Sequence, residues 1–426
     1  MSDEYRSMWK GLGLDLEAHD ALLSMLGNVY SKVFLSQPNR PEGMKYFDFV
    51  MSEVHGLRIR ELLDAKAEGR KVVGSYCTFV PEELILAVDA VSVGLCTGAD
   101  FATELVDQVL PRNTCALIKS AFGFKLGKVC PYVEACDMVV GENTCDGKKK
   151  AYEILRQFIP DLYVIDLPQV KSEAGKQLLR SEYQAFARKL EELTGRKLEA
   201  GKLAAAIATV NAKRAALKRL AALRYAKPAP ISGLDSLLIS QISFYDNPAR
   251  FTASLNQLCD ELEVRVREGK GVFPASHPRV VISGCPMAVP NWKIPVIVES
   301  AGAVIVGEES CVGERSTRWL TPETGHTVDD MIGLLVDRYL NIDCAVFTPN
   351  PTRLEYTREI ARERKADGVI HYTIQFCQPY QMETGAMLAS LEKDSVPTLR
   401  IDTDYSQEDV GQIGTRVEAF VERLRG

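Results

Sequence analysis

The spacing of hydrophobic residues first separates an N-terminal stretch from the rest of the chain. Apolar residues recur at helical spacing over 12–26 and 47–63, and Pro38 and Pro41 interrupt the pattern between them. This spacing is typical of amphipathic helices, and proline marks where they stop. We predict a helical N-terminal segment over residues 1–68 that acts as a cap or as a dimerisation element.

The pattern changes at residue 69, where short runs rich in β-branched residues begin to alternate with helical stretches. Strands are predicted at 72–76, 91–95, 138–142 and 162–167, and helices at 82–90, 101–109 and 148–158. Strands that alternate with helices predict right-handed crossovers and a parallel sheet covered on both faces. Residues 69–170 are therefore predicted to form a first α/β domain.

The second half of the chain repeats this organisation after a helical interval. Residues 171–275 contain no convincing strand, carry an alanine-rich run, and are predicted to form a helical connector. Further strands are predicted at 280–283, 303–306, 345–347, 369–375 and 398–401, and helices at 328–340, 353–365, 381–392 and 409–424. The predicted fold class is α/β, with two doubly wound, Rossmann-like parallel-sheet domains, the second over 276–426.

Composition narrows the range of partners and compartments. The net charge is −6, and 25% of the residues are charged, which argues against nucleic acid as a partner because binding to its backbone needs clustered positive charge. No apolar run approaches the roughly 18 residues of a membrane span, and the opening Met1-Ser2-Asp3-Glu4 does not resemble a signal peptide. We expect a cytoplasmic protein that does not bind membranes.

Eleven cysteines are unexpected in a compartment that keeps thiols reduced. Six of them directly follow a predicted strand or its end: Cys77, Cys96, Cys145, Cys285, Cys311 and Cys377. The carboxyl ends of parallel strands form the edge where such sheets bind ligands. Cys115 and Cys130 stand at predicted helix starts, where the helix dipole is expected to lower the pKa of a thiol.

A short internal repeat links the two predicted domains. Residues 140–145 read Val-Gly-Glu-Asn-Thr-Cys, and residues 306–311 read Val-Gly-Glu-Glu-Ser-Cys. Each stretch follows an apolar strand and precedes glycine and basic residues. The two stretches share a place in the alternation of strands and helices, and each is expected to present one cysteine to a shared site.

The residues alone leave two interpretations of these cysteines open. Zinc sites and ferredoxins are announced by closely spaced cysteines, and no Cys-x2-Cys pair occurs here. An iron–sulfur cluster assembled from separate loops remains possible, and so do buried structural cysteines. The chain also lacks a Walker loop and a Gly-x-Gly-x-x-Gly motif after its first strand, and its five histidines form no recognisable nucleophile motif.

Several stretches together resemble the 2-hydroxyacyl-CoA dehydratase and benzoyl-CoA reductase superfamily. They are Ser-Tyr-Cys-Thr-Phe-Val-Pro-Glu-Glu-Leu at 75–84, Cys115 at a helix start, Thr-Cys-Asp-Gly-Lys-Lys-Lys at 144–150, Phe-Cys at 376–377 and Thr-Leu-Arg-Ile-Asp-Thr-Asp-Tyr at 398–405. The resemblance extends from about residue 70 to the C-terminus. It implies a 4Fe-4S cubane held by Cys115, Cys145 and Cys377.

Three further stretches resemble a branch of that superfamily, the double-cubane cluster proteins, whose 8Fe-9S cluster joins two cubanes through a bridging sulfide. They surround Cys130, Cys285 and Cys311. The resemblance implies Cys285 and Cys311 as ligands of the second cubane, with Cys130 as the sixth ligand and Cys77 or Cys96 as alternatives to it. One departure is that the usual Gly-Cys-Pro-x-Gly-Gly stretch continues as Met-Ala-Val-Pro after Pro286, which affects the neighbouring pocket.

The resemblance implies a low-potential reductase that receives electrons from a separate ATP-dependent activator protein and reduces a small molecule. Such a reductase is expected to be a homodimer. The alternative is a 2-hydroxyacyl-CoA dehydratase subunit with a single 4Fe-4S cubane, which works beside a related subunit. A scaffold or cluster carrier without catalysis is a third possibility. The sequence identifies neither the substrate nor the acid–base residues.

Overall fold

The computed structural model describes residues 3–426, so residues 1 and 2 of the predicted N-terminal segment lie outside the described part of the chain. The described residues of this segment form helices and a π turn at Ser31–Leu35. Its helices are α1 at Asp3–Gly11, α2 at Leu16–Tyr30, α3 at Met44–Ser52 and α4 at Leu57–Ala67. Helix α2 begins where it does because the Asp15 carboxylate accepts the N–H of Ala18 at 3.0 Å.

Strands and helices alternate from residue 72 to 165. The strands are β1 at Val72–Ser75, β2 at Val91–Gly94, β3 at Met138–Glu142 and β4 at Leu162–Ile165. The helices are α5 at Glu82–Ala87, α6 at Thr103–Asp107, α7 at Ala116–Leu126, α8 at Pro131–Ala135 and α9 at Asp146–Leu155. The four strands form one parallel sheet in the order β2-β1-β3-β4.

Four helices follow, and then a second sheet. The connector helices are α10 at Glu173–Thr194, α11 at Ala200–Leu223, α12 at Gly233–Ile242 and α13 at Pro248–Arg267. The second set of strands is β5 at Arg279–Gly284, β6 at Val304–Glu309, β7 at Gly368–Ile374 and β8 at Thr398–Thr403. Its helices are α14 at Lys293–Ser300, α15 at Val328–Leu340, α16 at Pro351–Glu363, α17 at Gln378–Glu392 and α18 at Val410–Arg425.

The second sheet is also parallel, and its order β6-β5-β7-β8 repeats that of the first. The prediction of an α/β protein with two parallel, Rossmann-like sheets is confirmed. The predicted boundaries at 68/69, 170/171 and 275/276 fall in connections between elements, and the division into domains stays a prediction. Among residues 3–426 no helix combines the length and apolar character that a membrane crossing requires.

One predicted strand, 345–347, is wrong. These residues lie in the connection between α15 and α16 and pair with no strand. Their apolar character comes from packing: Phe347 is buried against the ring of Phe79, with ring centroids 5.8 Å apart. A run of three apolar residues is too short to distinguish a buried loop from a buried strand.

Both sheets contribute one face to a common central core. Successive side chains of β1 lie on opposite faces of the sheet. Val72 belongs to the central core, and Val73 belongs to a second core beneath the other face. Ile282 and Val281 of β5 divide in the same way between the central core and a third one. Because side chains alternate across a strand, each sheet is covered on both faces.

Helix α11 fixes the two sheets relative to each other. Arg214 donates to the buried carboxylate of Glu83 in α5, with an Nη1 to Oε1 distance of 2.6 Å. Arg224, immediately after α11, donates to both carboxylate oxygens of Glu308 in β6, at 2.5 and 2.8 Å. The bidentate Arg224–Glu308 pair constrains orientation as well as distance. One helix is therefore bonded to the domains on either side of it.

Candidate functional site

In each sheet the first strand in the chain has its next strand on one side and the following strand on its other side. In the first sheet the chain leaves β1 for β2 on one side and later returns to place β3 on the other. The carboxyl ends of β1 and β3 therefore flank a crevice, which is the usual ligand position in such sheets. Cys77 follows β1 and Cys145 follows β3, while Cys285 and Cys377 follow β5 and β7 at the matching crevice of the second sheet.

The repeated stretches 140–145 and 306–311 end strands at different positions in their sheets. The first stretch ends β3, an interior strand, whereas the second ends β6, which is an edge strand. By sheet position Cys145 corresponds to Cys377, and Cys311 corresponds to Cys96. Each stretch places a cysteine after the end of a strand, but the two strands occupy different positions in their sheets.

The two crevices open into one cavity of about 190 Å³. Nine of the eleven cysteines line it: Cys77, Cys96, Cys115, Cys130, Cys145, Cys285, Cys311, Cys344 and Cys377. The first domain supplies five of them and the second domain four. All six cysteines predicted as ligands, and both alternatives, are among the nine. Cys136 and Cys259 do not line the cavity.

Three thiols from both domains are in direct contact. Cys115 precedes the first residue of α7 and Cys377 that of α17. The Cys115 thiol donates to Cys377, and the Cys377 thiol donates to Cys285. The Sγ of Cys285 also accepts the backbone N–H of Ile374 at 3.4 Å. The crevices of the two sheets therefore meet at this line of sulfur atoms.

Cys145 lies beside this line, at the start of α9. Its Sγ accepts the backbone N–H of Lys148 at 3.5 Å, and the thiol that acts on it electrostatically is Cys115. Lys148 reaches back along the cavity wall to the buried carboxylate of Glu142. The Asp-Gly-Lys-Lys-Lys stretch thus places one cation, neutralised by one carboxylate, next to the thiols.

A second group of thiols surrounds a buried arginine. Arg315 donates from Nη1 to the Sγ of Cys311 at 3.3 Å and from Nε to Glu309 at 2.6 Å. Arg315 also donates to the hydroxyl of Tyr380, whose oxygen lies 3.9 Å from the Sγ of Cys344. The Cys344 thiol donates in turn to Cys311. That bond and the guanidinium lower the pKa of Cys311 to about 6.

The expectation of lowered pKa values at helix starts is wrong for the thiols it named. The hydrogen bond to Cys377, followed by burial, raises the pKa of Cys115, and burial raises the pKa of Cys130 to about 11. Burial also raises the pKa of Cys145. Desolvation of a thiolate outweighs the backbone N–H groups at a helix start. At Cys311 the hydrogen bond from Cys344, together with the Arg315 guanidinium, outweighs burial and lowers the pKa.

Cys344 was missed at the level of sequence. It precedes the wrongly predicted strand 345–347 and would have stood at the amino end of that strand, away from the ligand edge. The actual connection turns after α15 and brings Cys344 against Cys311. One signal in the sequence did indicate a loop at residues 345–347. Pro349 follows closely, and the residue before a proline is typically in an extended or turn conformation.

The donor set suits a cluster of several metal ions better than a single ion. Within residues 3–426 no three His, Cys, Asp or Glu side chains converge closely enough for one ion. The nine thiols are instead distributed around a volume, and thiolate sulfur is the ligand that iron–sulfur clusters use. The residues present therefore fit an iron–sulfur cluster as a chemical class.

The model of the family described as 2-hydroxyglutaryl-CoA dehydratase, D-component, matches residues 77–424. The chain belongs to this family. The dehydratase family is one that binds iron–sulfur clusters, and its members include dehydratases and reductases. The resemblance to the 2-hydroxyacyl-CoA dehydratase and benzoyl-CoA reductase superfamily is confirmed.

The relatives span nearly the whole length of this chain. A putative dehydratase subunit, YjiM, of Escherichia coli K12 is 38% identical over 88% of this chain and 96% of its own length. The (R)-phenyllactyl-CoA dehydratase beta subunit of Clostridium sporogenes is 27% identical over 84% and 92%. A subunit of the benzoyl-CoA reductase of Thauera aromatica is 22% identical over 84% and 91%. These dehydratase-family relatives are named as subunits.

Proposed function

We propose that this chain is a low-potential reductase that carries an 8Fe-9S double-cubane cluster and reduces a small molecule. The observation that carries the proposal is the number of thiols at one site. A single cubane in this family is expected to use three cysteines, whereas nine line this cavity, from both sheets. The proposal includes a homodimer and a separate ATP-dependent activator, consistent with the absence of a Walker loop from the sequence.

We assign Cys115, Cys145 and Cys377 to one half of the cluster, and Cys285 and Cys311 to the other. Cys130 was the sixth ligand expected from the resemblance, with Cys77 and Cys96 as alternatives. Contact geometry favours Cys344, because it bonds directly to Cys311 and shares the Arg315 and Tyr380 environment. Cys130, by contrast, lies among Tyr132, Glu134 and Lys125.

The bound cluster supplies single electrons at low potential. The chain's own contribution is the environment: leucine, methionine and valine side chains from the N-terminal segment wall off the cavity. Lys148 is paired with Glu142, but its ammonium group also lies near Cys145 and favours the thiolate form of that residue, because a nearby cation reduces the cost of negative charge in an apolar site. Arg315 plays the same part for Cys311.

Iron counting tests the proposal. The full chain, isolated without oxygen, is expected to contain about eight irons, and a single cubane about four. Cys311→Ser and Cys344→Ser should each reduce the count, while Cys130→Ser should not. Cys259→Ser is the matched control, because this buried thiol of α13 lies outside the cavity. Electron paramagnetic resonance of each variant reports whether the remaining irons keep their spin state.

A dehydratase subunit with one 4Fe-4S cubane is the competing function. It is favoured by the names of the relatives, which include the beta subunit from Clostridium sporogenes and both subunits of an (R)-2-hydroxyglutaryl-CoA dehydratase from Acidaminococcus fermentans. Four irons per chain, together with copurification of a second, related subunit, would establish that function instead. A stable homodimer with eight irons would exclude it.

A further inference from the structure

One part of the cavity wall comes from the N-terminal segment and includes a histidine. Leu22 and Leu26 of α2, together with Met51 and Val54, form an apolar wall there, and His55 lies among them. All these residues precede residue 77, so they lie before the range that the family model matches.

His55 is held in place through both its ring and its backbone. The Nδ1 of His55 lies 2.9 Å from the Nε2 of His19. The two rings are almost coplanar, at 13°, with centroids 5.1 Å apart, which is the geometry of an in-plane hydrogen bond. The indole N–H of Trp9 donates to the His55 carbonyl at 2.6 Å, and the Trp9 ring packs on the edge of His19.

This arrangement selects one tautomer for each histidine. The side chain of His19 is fully buried, and its Nδ1 has no hydrogen-bond partner among residues 3–426. An unpaired lone pair at that position costs less than an unpaired N–H, because buried N–H groups are almost always bonded. The proton of His19 therefore sits on Nε2 and is donated to the Nδ1 of His55. The proton of His55 must then sit on its own Nε2.

The resulting donor is neutral and belongs to a side chain that lines the cavity. Burial lowers the pKa of His19 to about 4 and that of His55 to about 3. The Nε2 of His55 has no hydrogen-bond partner among residues 3–426, and this atom is not fully buried. An uncharged N–H in an apolar wall binds an uncharged acceptor well, whereas a carboxylate there would lose its hydration without a counter-charge.

We propose that His55 is the hydrogen-bond donor that binds the substrate in this cavity, and that His19 is the positioning residue that keeps it a donor. The ligand class is a small, largely apolar molecule with one uncharged oxygen acceptor, such as a ketone. The inference rests on the proposed function for the reaction that follows binding. The donor and its wall are defined by residues 3–426 without any cluster.

A pair of isosteric probes isolates the hydrogen bond. Cyclohexanone and methylenecyclohexane have nearly the same shape, but only the ketone accepts a hydrogen bond. Calorimetric titration of the full chain, isolated without oxygen, should show that the ketone binds about tenfold more tightly, which is the usual effect of one buried hydrogen bond. Equal affinity for the two probes, or no binding of either, overturns the proposal.

Variants separate the roles of the two histidines. His55→Leu should abolish the preference for the ketone, and His55→Gln should retain it because the amide still donates. His19→Gln should also retain it, since the amide can donate to the Nδ1 of His55, whereas His19→Phe should lose it. His277→Phe is the matched control, because that histidine packs on Phe273 outside the cavity.

Two readouts keep this inference distinct from the proposed function. Iron content, measured on the same samples, decides the cluster type and should be unchanged in every histidine variant. The ketone preference decides the role of His55. Four irons with an intact preference would refute the double-cubane proposal alone, and eight irons with no preference would refute this inference alone.

Discussion

Replacing Glu299 by glutamine should remove a pH-dependent term from the stability of the fold. Glu299 belongs to α14, and its carboxyl accepts the backbone N–H of Gly233 at 2.7 Å, of Leu234 at 3.3 Å and of Ile305 at 3.3 Å. The side chain thus joins the first turn of α12 to β6. Burial raises the pKa of Glu299 to about 7, although the three N–H groups favour the charged form.

The sign follows from which state binds more protons. An unperturbed glutamate titrates near 4.5, so between pH 4.5 and about 7 the folded state holds a proton that the unfolded state has lost. Stability contributed by this group is fully present below pH 4.5 and is lost as the pH rises to about 7. At 1.36 kcal/mol for each pKa unit, the loss is about 3 kcal/mol.

Urea unfolding between pH 5 and pH 8 measures this loss. The free energy of unfolding of the unmodified protein should fall across this range by most of that amount relative to Glu299→Gln, whose side chain does not titrate. Glu392→Gln, an exposed change at the end of α17, is the matched control and should follow the unmodified protein. Parallel curves for the unmodified protein and Glu299→Gln would refute the argument that burial outweighs the three backbone bonds.

Three further changes test the packing and charge near the cavity and the binding of a cluster. Gly284→Ala should destabilise the fold by about 3 kcal/mol or more, because Gly284 has φ +141° and an added Cβ would overlap the carbonyl oxygen of Tyr372; the thermal midpoint measures this. Lys148→Met should cost about 3–5 kcal/mol in urea unfolding by leaving buried Glu142 without its cation, and adding Glu142→Gln should recover part of it. Stripping iron with a chelator under anaerobic conditions should lower the thermal midpoint, since a ligand that binds only the folded state stabilises it; an unchanged midpoint would contradict a cluster bound by the folded cavity.

The strands were predictable from sequence because each buried strand is a short run of β-branched residues. The runs around Val72 and Val369 became β1 and β7 within a residue or two of the predicted bounds. The order of strands within each sheet was not predictable, since it depends on which edge each crossover returns to. For this reason the match between 140–145 and 306–311 did not reveal that one stretch ends an interior strand and the other an edge strand.

The candidate site was predictable in outline, because the carboxyl ends of parallel strands share an edge. That rule places Cys77, Cys285 and Cys377 correctly. It says nothing about thiols carried by a loop between two helices, which is how Cys344 enters the cavity. It also says nothing about the pKa of a thiol, which depends on burial and on cations such as Arg315 that come from elsewhere in the chain.

A cavity with thiols from two sheets requires that their carboxyl edges face each other, and neither sheet can enforce this alone. Helix α11 supplies the constraint, because the ion pairs of Arg214 and Arg224 bind it to Glu83 in the first domain and Glu308 in the second. A buried pair is costly to break, since the partner left behind stays buried and charged. These pairs resist any rotation that would separate Cys115 from Cys377. The alanine-rich connector therefore determines the shape of the thiol site, although none of its residues carries a thiol to it.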